Sequence, residues 1–236
     1  MNRTLARQAL AEYLGTLMLV AVVVGSGIMA TRLSPGDVGL QLLENSIATA
    51  GGLIALILAL GSVSGAHFNP VVSLVDWRLG GLSARSLGAY IAAQVSGAIS
   101  GAVLANLMFD LPAVEWSTKV RSDSGLWLAE VVATVGLLLV IFGSVRGGNA
   151  RATPFAVGAY IGAAYFFTSS TSFANPAVTV GRMFTDTFAG IRPSSVLAFV
   201  AAQLVGAVIA YGIIRTLFPS FDGTNTVVPH DLETTP

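Results

Sequence analysis

Six long apolar runs constrain the fold of this chain more than any other feature. Each is close to the ~20 residues that an α-helix needs to cross the hydrocarbon core of a bilayer. Only 10% of the residues are charged, whereas soluble domains carry about 25%. The sequence therefore predicts an all-α membrane protein with six spans, at residues 9–30, 44–62, 84–109, 126–146, 152–168 and 194–216.

The two halves of the chain carry the same motifs in the same order. "LAEYLGTLMLVAVV" at 10–23 matches "LAEVVATVGLLLVI" at 128–141. "LGAYIAAQVSGAISG" at 87–101 matches "VLAFVAAQLVGAVIA" at 196–210, and an Asn-Pro pair lies between the matching segments in each half. Three spans per unit is an odd number, so the second unit enters the membrane from the opposite side. We therefore expect an inverted 3+3 repeat.

The N-terminal span has a second interpretation. Arg3 and Arg7 precede an apolar run, which is also typical of a secretory signal peptide. The match of this run to a segment in the second half argues against that interpretation, because a cleaved signal needs no partner. The distribution of Lys and Arg weakly favours an N-terminus on the inner side.

The Asn-Pro pairs interrupt the apolar pattern at equivalent places. Asn69-Pro70 lies in "GAHFNPVVSL" and Asn175-Pro176 lies in "TSFANPAVTV". Asn is a strong N-cap residue, and Pro is favoured at the first helical position. Each pair is therefore predicted to start a short helix.

The short helices predicted at 69–78 and 175–184 cannot cross a membrane, so we expect two re-entrant half-helices. The stretches that precede them, 62–68 and 169–174, are rich in small and hydroxyl residues. Non-helical backbone at this depth must line a wet cavity or be buried in protein. A pore lined by carbonyls is one interpretation, and a helix break inside a packed bundle is the other.

Small residues recur at four-residue spacing in the third and sixth predicted spans. Such stripes let helices approach closely in lipid, where packing joins them. We interpret them as structural: Ala93, Gly97, Gly101, Ala202, Gly206 and Ala210.

Together these motifs resemble the aquaporin / major intrinsic protein family. "SGAHFNPVVSL" and "FANPAVTV", with one Glu in the first helix of each repeat, carry the resemblance over about residues 8–218. It implies an aquaporin-like right-handed bundle of six transmembrane helices plus two re-entrant half-helices. It also implies a single membrane channel domain over 1–236, with repeat 1 at about 8–110, repeat 2 at about 126–218 and a polar C-terminal tail at 219–236.

The resemblance further implies a homotetramer with one pore per subunit, which conducts water and small uncharged solutes passively. The protein would be a multi-pass protein of the cell membrane with cytoplasmic termini, and it would need no cofactor or metal. The first motif has Val71 where the family has Ala, which adds two methyl groups where the half-helices meet. The implied central constriction consists of Asn69, Pro70, Val71, Asn175, Pro176 and Ala177.

The implied selectivity filter departs from the family pattern. Counting from the two Asn residues places it at Thr49, Ala163, Ser172 and Val178. The family has an aromatic residue at the first of these positions and an arginine at the last. We therefore hypothesise a wide, uncharged filter that passes glycerol, urea and neutral metalloid acids such as arsenite.

Arg182 follows Val178 by one helical turn. It could lie in the outer vestibule and partly replace the missing arginine. The alternative is an arginine that faces solvent or lipid phosphate.

Several polar residues in the predicted membrane region are expected to support the re-entrant loops. Glu12 and Glu130 suggest either proton coupling or, as the family implies, carboxylates that accept hydrogen bonds from loop backbone. His67 suggests a pore-lining or pH-gating residue or a buried loop contact, and we favour the loop contact. Gln94 and Gln203 match across the repeat and are expected to tie the half-helices to the third and sixth spans.

Other function classes fit less well. A proton-coupled secondary transporter also uses inverted repeats, but few titratable residues lie within the spans. A membrane protein with a blocked pore is a third alternative. The net charge of zero argues against nucleic-acid binding. We expect no enzyme, since no nucleophile–base set or phosphate-binding loop is present, and we expect the bilayer, water and small neutral solutes as partners.

Overall fold

The computed structural model describes residues 3–219, and all regular elements in that range are helical. The polar tail predicted at 219–236 lies, apart from its first residue, outside the described residues. Two 3₁₀ turns occur, at Ala150–Ala152 and Arg182–Phe184. The α-helices are α1 (Arg3–Leu33), α2 (Val38–Ser64), α3 (Pro70–Arg78), α4 (Ala84–Met108), α5 (Ser124–Arg146), α6 (Thr153–Phe167), α7 (Pro176–Gly181) and α8 (Pro193–Leu217).

Five of the described helices are long and apolar enough to cross a membrane: α1, α2, α4, α5 and α8. The sixth predicted span, 152–168, agrees with α6 to within one residue at each end. Pro lies in the first turn of α6, which has 15 residues and ends where Thr168 turns to extended backbone. At 1.5 Å per residue, α6 is about 22 Å long, which is less than the ~30 Å of a hydrocarbon core.

The packing of the helices shows the inverted repeat. In the first half α1 packs against α2 and α4, and in the second half α5 packs against α6 and α8. Each half-helix contacts a long helix of its own half, α3 contacting α4 and α7 contacting α8. Each also contacts the matching long helix of the other half, so that α3 meets α8 and α7 meets α4. Helices α2 and α6 meet each other. Each contact thus has a counterpart under a two-fold exchange of the halves.

The small-residue stripe of α4 explains how closely α1 and α4 approach. A Cβ atom on Gly97 would lie 2.4 Å from the carbonyl oxygen of Tyr13. One on Gly101 would lie 2.3 Å from that of Leu17. Both distances are below van der Waals contact, so only glycine fits at these positions.

The half-helices begin where the Asn-Pro pairs predict. The Asn69 side chain accepts a hydrogen bond from the backbone N–H of Val71 at 3.1 Å. The Asn175 side chain accepts from Ala177 and Val178 at 3.0 and 3.2 Å. Helix α7 is shorter than the predicted 175–184, because its last turn tightens into the 3₁₀ turn that begins at Arg182.

Candidate pore and selectivity filter

The two N-cap asparagines bind across the repeat. Asn69 Nδ2 donates to the carbonyl oxygen of Ala174, and Asn175 Nδ2 donates to that of Phe68, both at 2.8 Å. Each side chain therefore caps its own half-helix with its oxygen and binds the opposite loop with its nitrogen. An amide NH₂ carries two hydrogens, so these bonds leave one hydrogen on each Asn for the cavity that both residues line.

The loops that precede the half-helices have unusual backbone. Ala66 and Phe68 have φ of 50° and 49°, and Ser172 and Ala174 have φ of 50° and 46°. Non-glycine residues in this left-handed region cost of order 1–3 kcal/mol each, and they persist only when their surroundings hold them. The paired residues at i and i+2 in both loops show that the same strained path is used twice.

Glu12 holds the first loop. Its Oε1 accepts from the His67 N–H at 2.9 Å and from the Ser64 hydroxyl at 2.6 Å. Its Oε2 accepts from the Phe68 N–H and from Gln94 Nε2, both at 2.7 Å. Glu12 is fully buried, and its four hydrogen bonds fit the structural interpretation of this carboxylate.

Glu130 does the same in the second loop. It accepts from the N–H groups of Phe173 and Ala174 at 2.9 and 2.8 Å. Gln203 Nε2 donates to Glu130 at 2.6 Å and to the Thr179 hydroxyl of α7 at 2.9 Å. In the first half, Gln94 likewise reaches the hydroxyl of Ser73 on α3. Both glutamines therefore connect a carboxylate, a half-helix and a long helix, as their match across the repeat predicts.

His67 lies in the cavity wall, and its ring also contacts the half-helix α3. Its Nδ1 is 3.0 Å from the Ser73 hydroxyl, and its Nε2 is 3.7 Å from Asp76 Oδ2. The ring lies edge-on to Tyr90. The structure therefore places this side chain between the cavity and α3, and its role in the channel stays a prediction.

A cavity of about 690 Å³ runs from the start of α6 to the end of α7. Leu, Ile and Val side chains make up much of its wall, and both N-cap asparagines lie along it. The other members of the predicted central constriction do not line it. Pro70, Val71, Pro176 and Ala177 are buried behind the wall where the half-helices meet, so their contribution is packing.

Three of the four predicted filter residues line the cavity, namely Thr49, Ser172 and Val178. The placement of Ala163 is wrong, since Ala163 is exposed on the outside of α6. The cavity face of this helix carries Val157, Ile161 and Tyr165 at four-residue spacing. Successive residues of an α-helix are rotated by about 100°, so Ala163, two positions after Ile161, points to the opposite side of α6.

Tyr165 supplies an aromatic ring to the cavity wall, and the count from Asn175 missed it. It is almost fully buried, and its hydroxyl lies 3.0 Å from that of Thr49. The helical phase of α6 would have identified it, because Tyr165 follows Ile161 by four residues. The count failed because it assumed a fixed length for the irregular stretch between α6 and Asn175.

Arg182 lies in the cavity wall beyond Val178. It is 3% exposed, and its Nε donates to the carbonyl oxygen of Ala189. The carbon of its guanidinium is 3.4 Å from the centroid of the Phe173 ring. The alternative of an arginine facing solvent or lipid is therefore wrong. The cavity has a positive charge at this end, in contrast to the predicted uncharged filter.

Comparison with known proteins decides the family. A family model described as "Major intrinsic protein" matches residues 1–174 and 148–234. The chain belongs to the major intrinsic protein family. It is 53% identical over 213 residues to the aquaglyceroporin AqpS of Rhizobium meliloti (strain 1021), covering 90% of this chain and 91% of that protein. It is 31% identical to the aquaporin Z of Rhodopseudomonas palustris, over 91% and 94% of the two chains.

A solved structure shares the fold. The X-ray structure of the aquaglyceroporin from Plasmodium falciparum superposes with a TM-score of 0.72 at 23% identity, covering 91% of this chain and 98% of that one. As a major intrinsic protein with five apolar helices of spanning length in its described part, the chain is an integral membrane protein. It is a channel and not an enzyme.

Proposed function

We propose that this chain is a passive channel for water and small neutral solutes of about the size of glycerol. The observation that carries the proposal is the cavity that passes both N-cap asparagines. No carboxylate of the described residues lines it. Proton relays in transporters use chains of Asp, Glu and His side chains. Of these residue types, His67 alone lines the cavity within residues 3–219, so no chain of such groups crosses it and we favour passive flow over that alternative.

The filter residues indicate the kind of solute. We assign the filter to Thr49, Tyr165, Ser172 and Val178, with Arg182 beside them. Three of these side chains carry hydroxyl groups, and the Ser172 hydroxyl is buried without a partner in the protein. A solute that carries several hydroxyl groups can satisfy them, while Val178 meets its apolar side. This chemistry suits glycerol and neutral metalloid acids such as arsenite, and it accommodates urea.

Family membership also supports a proposal for the assembly. We propose a homotetramer in the cell membrane, with both termini in the cytoplasm. Large apolar side chains such as Leu128, Leu197 and Val208 are exposed on the outer faces of the long helices. These surfaces suit contact with lipid or with neighbouring subunits.

Stopped-flow light scattering on proteoliposomes tests the proposal. Vesicles that hold the protein should shrink in a hyperosmotic solution of glycerol, urea or arsenous acid and then swell again as the solute enters. Thr49→Trp, which fills the filter with a large ring, is the matched control and should abolish re-swelling. Water flux without re-swelling in any of the three solutes would contradict the solute assignment. Uptake that accumulates glycerol in response to a proton gradient would indicate the transporter instead.

A further inference from the structure

Arg121 comes from the segment between α4 and α5, far from the motifs of the sequence, yet it is buried next to the filter. Its Nε donates to the carbonyl oxygen of Gly190 at 3.0 Å. One terminal nitrogen donates to that of Ser170 at 3.4 Å, and its backbone N–H donates to the Ser195 hydroxyl at 3.1 Å. These bonds fix the guanidinium between the second re-entrant loop and the start of α8.

Arg121 and Arg182 share one aromatic ring. The guanidinium carbon of Arg182 is 3.4 Å from the centroid of Phe173, and that of Arg121 is 4.9 Å from it. Phe173 lines the cavity. A guanidinium over an aromatic face is stabilised by the ring quadrupole, and more strongly when water is excluded. The ring therefore makes it less costly to bury two like charges beside the pore.

The two charges lack a carboxylate partner. Within residues 3–219, no Asp or Glu oxygen lies within 4 Å of either guanidinium. The nearby carboxylate of Glu130 is occupied by Phe173, Ala174 and Gln203. In the same connecting segment the pKa of Lys119 is lowered to about 8, first by partial burial of its ammonium and then by Arg121 and Arg182. Buried charges act over a longer range than solvated ones.

We propose that Arg121 and Arg182 together form the barrier to cations in this channel and supply the charge that Val178 does not. Arg182 touches the solute path directly. Arg121 is a positioning and field residue, because it lies behind Phe173 and acts through space. The proposal rests on the channel function proposed above and names the residues that set its charge selectivity.

Urea and the guanidinium ion provide the sharpest probe, since they have nearly the same planar shape and differ in charge. Wild-type proteoliposomes should pass urea and exclude guanidinium. The double variant Arg121→Gln/Arg182→Gln should admit guanidinium, and each single variant should raise its permeability relative to urea on the order of tenfold. Arg121→Lys keeps the charge but loses the fork of donors, so it should still exclude guanidinium. Arg192→Gln, which removes an exposed arginine of the same region, is the control and should change nothing.

Water flux is measured on every variant, because it reports an open and folded pore. If the wild type passes no urea, the solute assignment is contradicted, whereas water flux through the same vesicles would still support the proposal of a passive channel. A double variant with normal water flux that still excludes guanidinium would overturn the charge barrier. The proposal would also be overturned if Arg121→Lys lost guanidinium exclusion to the same extent as Arg121→Gln, because that pattern indicates a structural role alone.

If the Gln variants fail to fold, Val178→Glu tests the same idea. It places a carboxylate in the cavity wall that Arg182 also lines and so offsets the positive charge without removing either arginine. Guanidinium must then enter, and its exclusion from a water-conducting Val178→Glu channel would also overturn the proposal.

Discussion

At the residue scale, the hydroxyl groups of Tyr165 and Thr49 lie on one side of the proposed filter. Their oxygens are 3.0 Å apart, and both side chains are buried. A buried tyrosine hydroxyl normally has a partner, because leaving it unpaired costs about 1–3 kcal/mol. The bond therefore fixes the ring of Tyr165 at a set distance from α2, and this distance limits the width of the opening.

Replacement of Tyr165 should change which solutes pass. Tyr165→Ala removes the ring and should admit solutes larger than glycerol, while water flux persists. Tyr165→Phe keeps the ring and frees the Thr49 hydroxyl, so it should lower stability by about 1–3 kcal/mol with a smaller change in size limit. Re-swelling rates for a series of polyols of increasing length measure the size limit.

Ala163→Val is the control for this prediction, because Ala163 faces out of the bundle. Its polyol profile should match that of the wild type. A shift in the profile of Ala163→Val with none in Tyr165→Ala would restore the filter position that was counted back from Asn175.

At the element scale, each re-entrant loop depends on a single carboxylate. A charged carboxylate can only accept hydrogen bonds, and the groups that bind Glu12 and Glu130 in the described structure are all donors. Hydrogen bonds to a charged group contribute about 1.5–3 kcal/mol each. The strained left-handed residues of both loops are held in place by these bonds.

Glu130→Gln should therefore destabilise the channel. One carboxylate oxygen becomes an NH₂ that faces N–H donors, so at least one bond is lost and a repulsive contact is made. We expect a large loss of water flux and a lower melting temperature in detergent. Fluorescence-detected gel filtration measures the melting temperature. Glu12→Gln should behave alike because its environment is equivalent. Normal flux in these variants, together with loss of a proton-driven uptake present in the wild type, would instead support the coupling role.

The contact between α1 and α4 depends on glycine, because the two backbones approach too closely for a side chain. Gly97→Ala would place a methyl group 2.4 Å from the Tyr13 carbonyl oxygen, so the helices must separate, at a cost of about 1–3 kcal/mol. Gly88 lies on the same helix with nothing within 4 Å of a Cβ atom, which makes Gly88→Ala the matched control. We expect a lower melting temperature for Gly97→Ala and an equal or higher one for Gly88→Ala. Equal melting temperatures for the two variants would show that the backbones are not in tight contact.

At the scale of the whole molecule, hydrophobic patterning and capping were sufficient to predict the architecture. Span length, the repeated motifs and the Asn-Pro caps each depend on local chemistry, which a sequence displays directly. The sixth span, predicted at 152–168, ends within one residue of α6, because the apolar run stops where the backbone leaves the helix at Thr168. The filter was predicted less well, since it depends on which face of α6 meets the cavity.

Arg121 could not have been found from the sequence. It lies in a polar connecting segment, between Val120 and Ser122, where an arginine is ordinarily solvated. Its position is set by carbonyl groups of Ser170 and Gly190, which are about 50 and 70 residues away along the chain. Long-range contacts of this kind follow from the tertiary fold and leave no local pattern.

The crossed hydrogen bonds of Asn69 and Asn175 have a consequence for each half of the molecule taken alone. A single half, placed alone in a bilayer, would leave an asparagine NH₂ and a loop carbonyl unpaired at mid-depth, where water is scarce. Two copies of that half, opposed head to head, would satisfy both. A unit of this kind is therefore complete only as a head-to-head pair, and the single chain supplies both members of that pair.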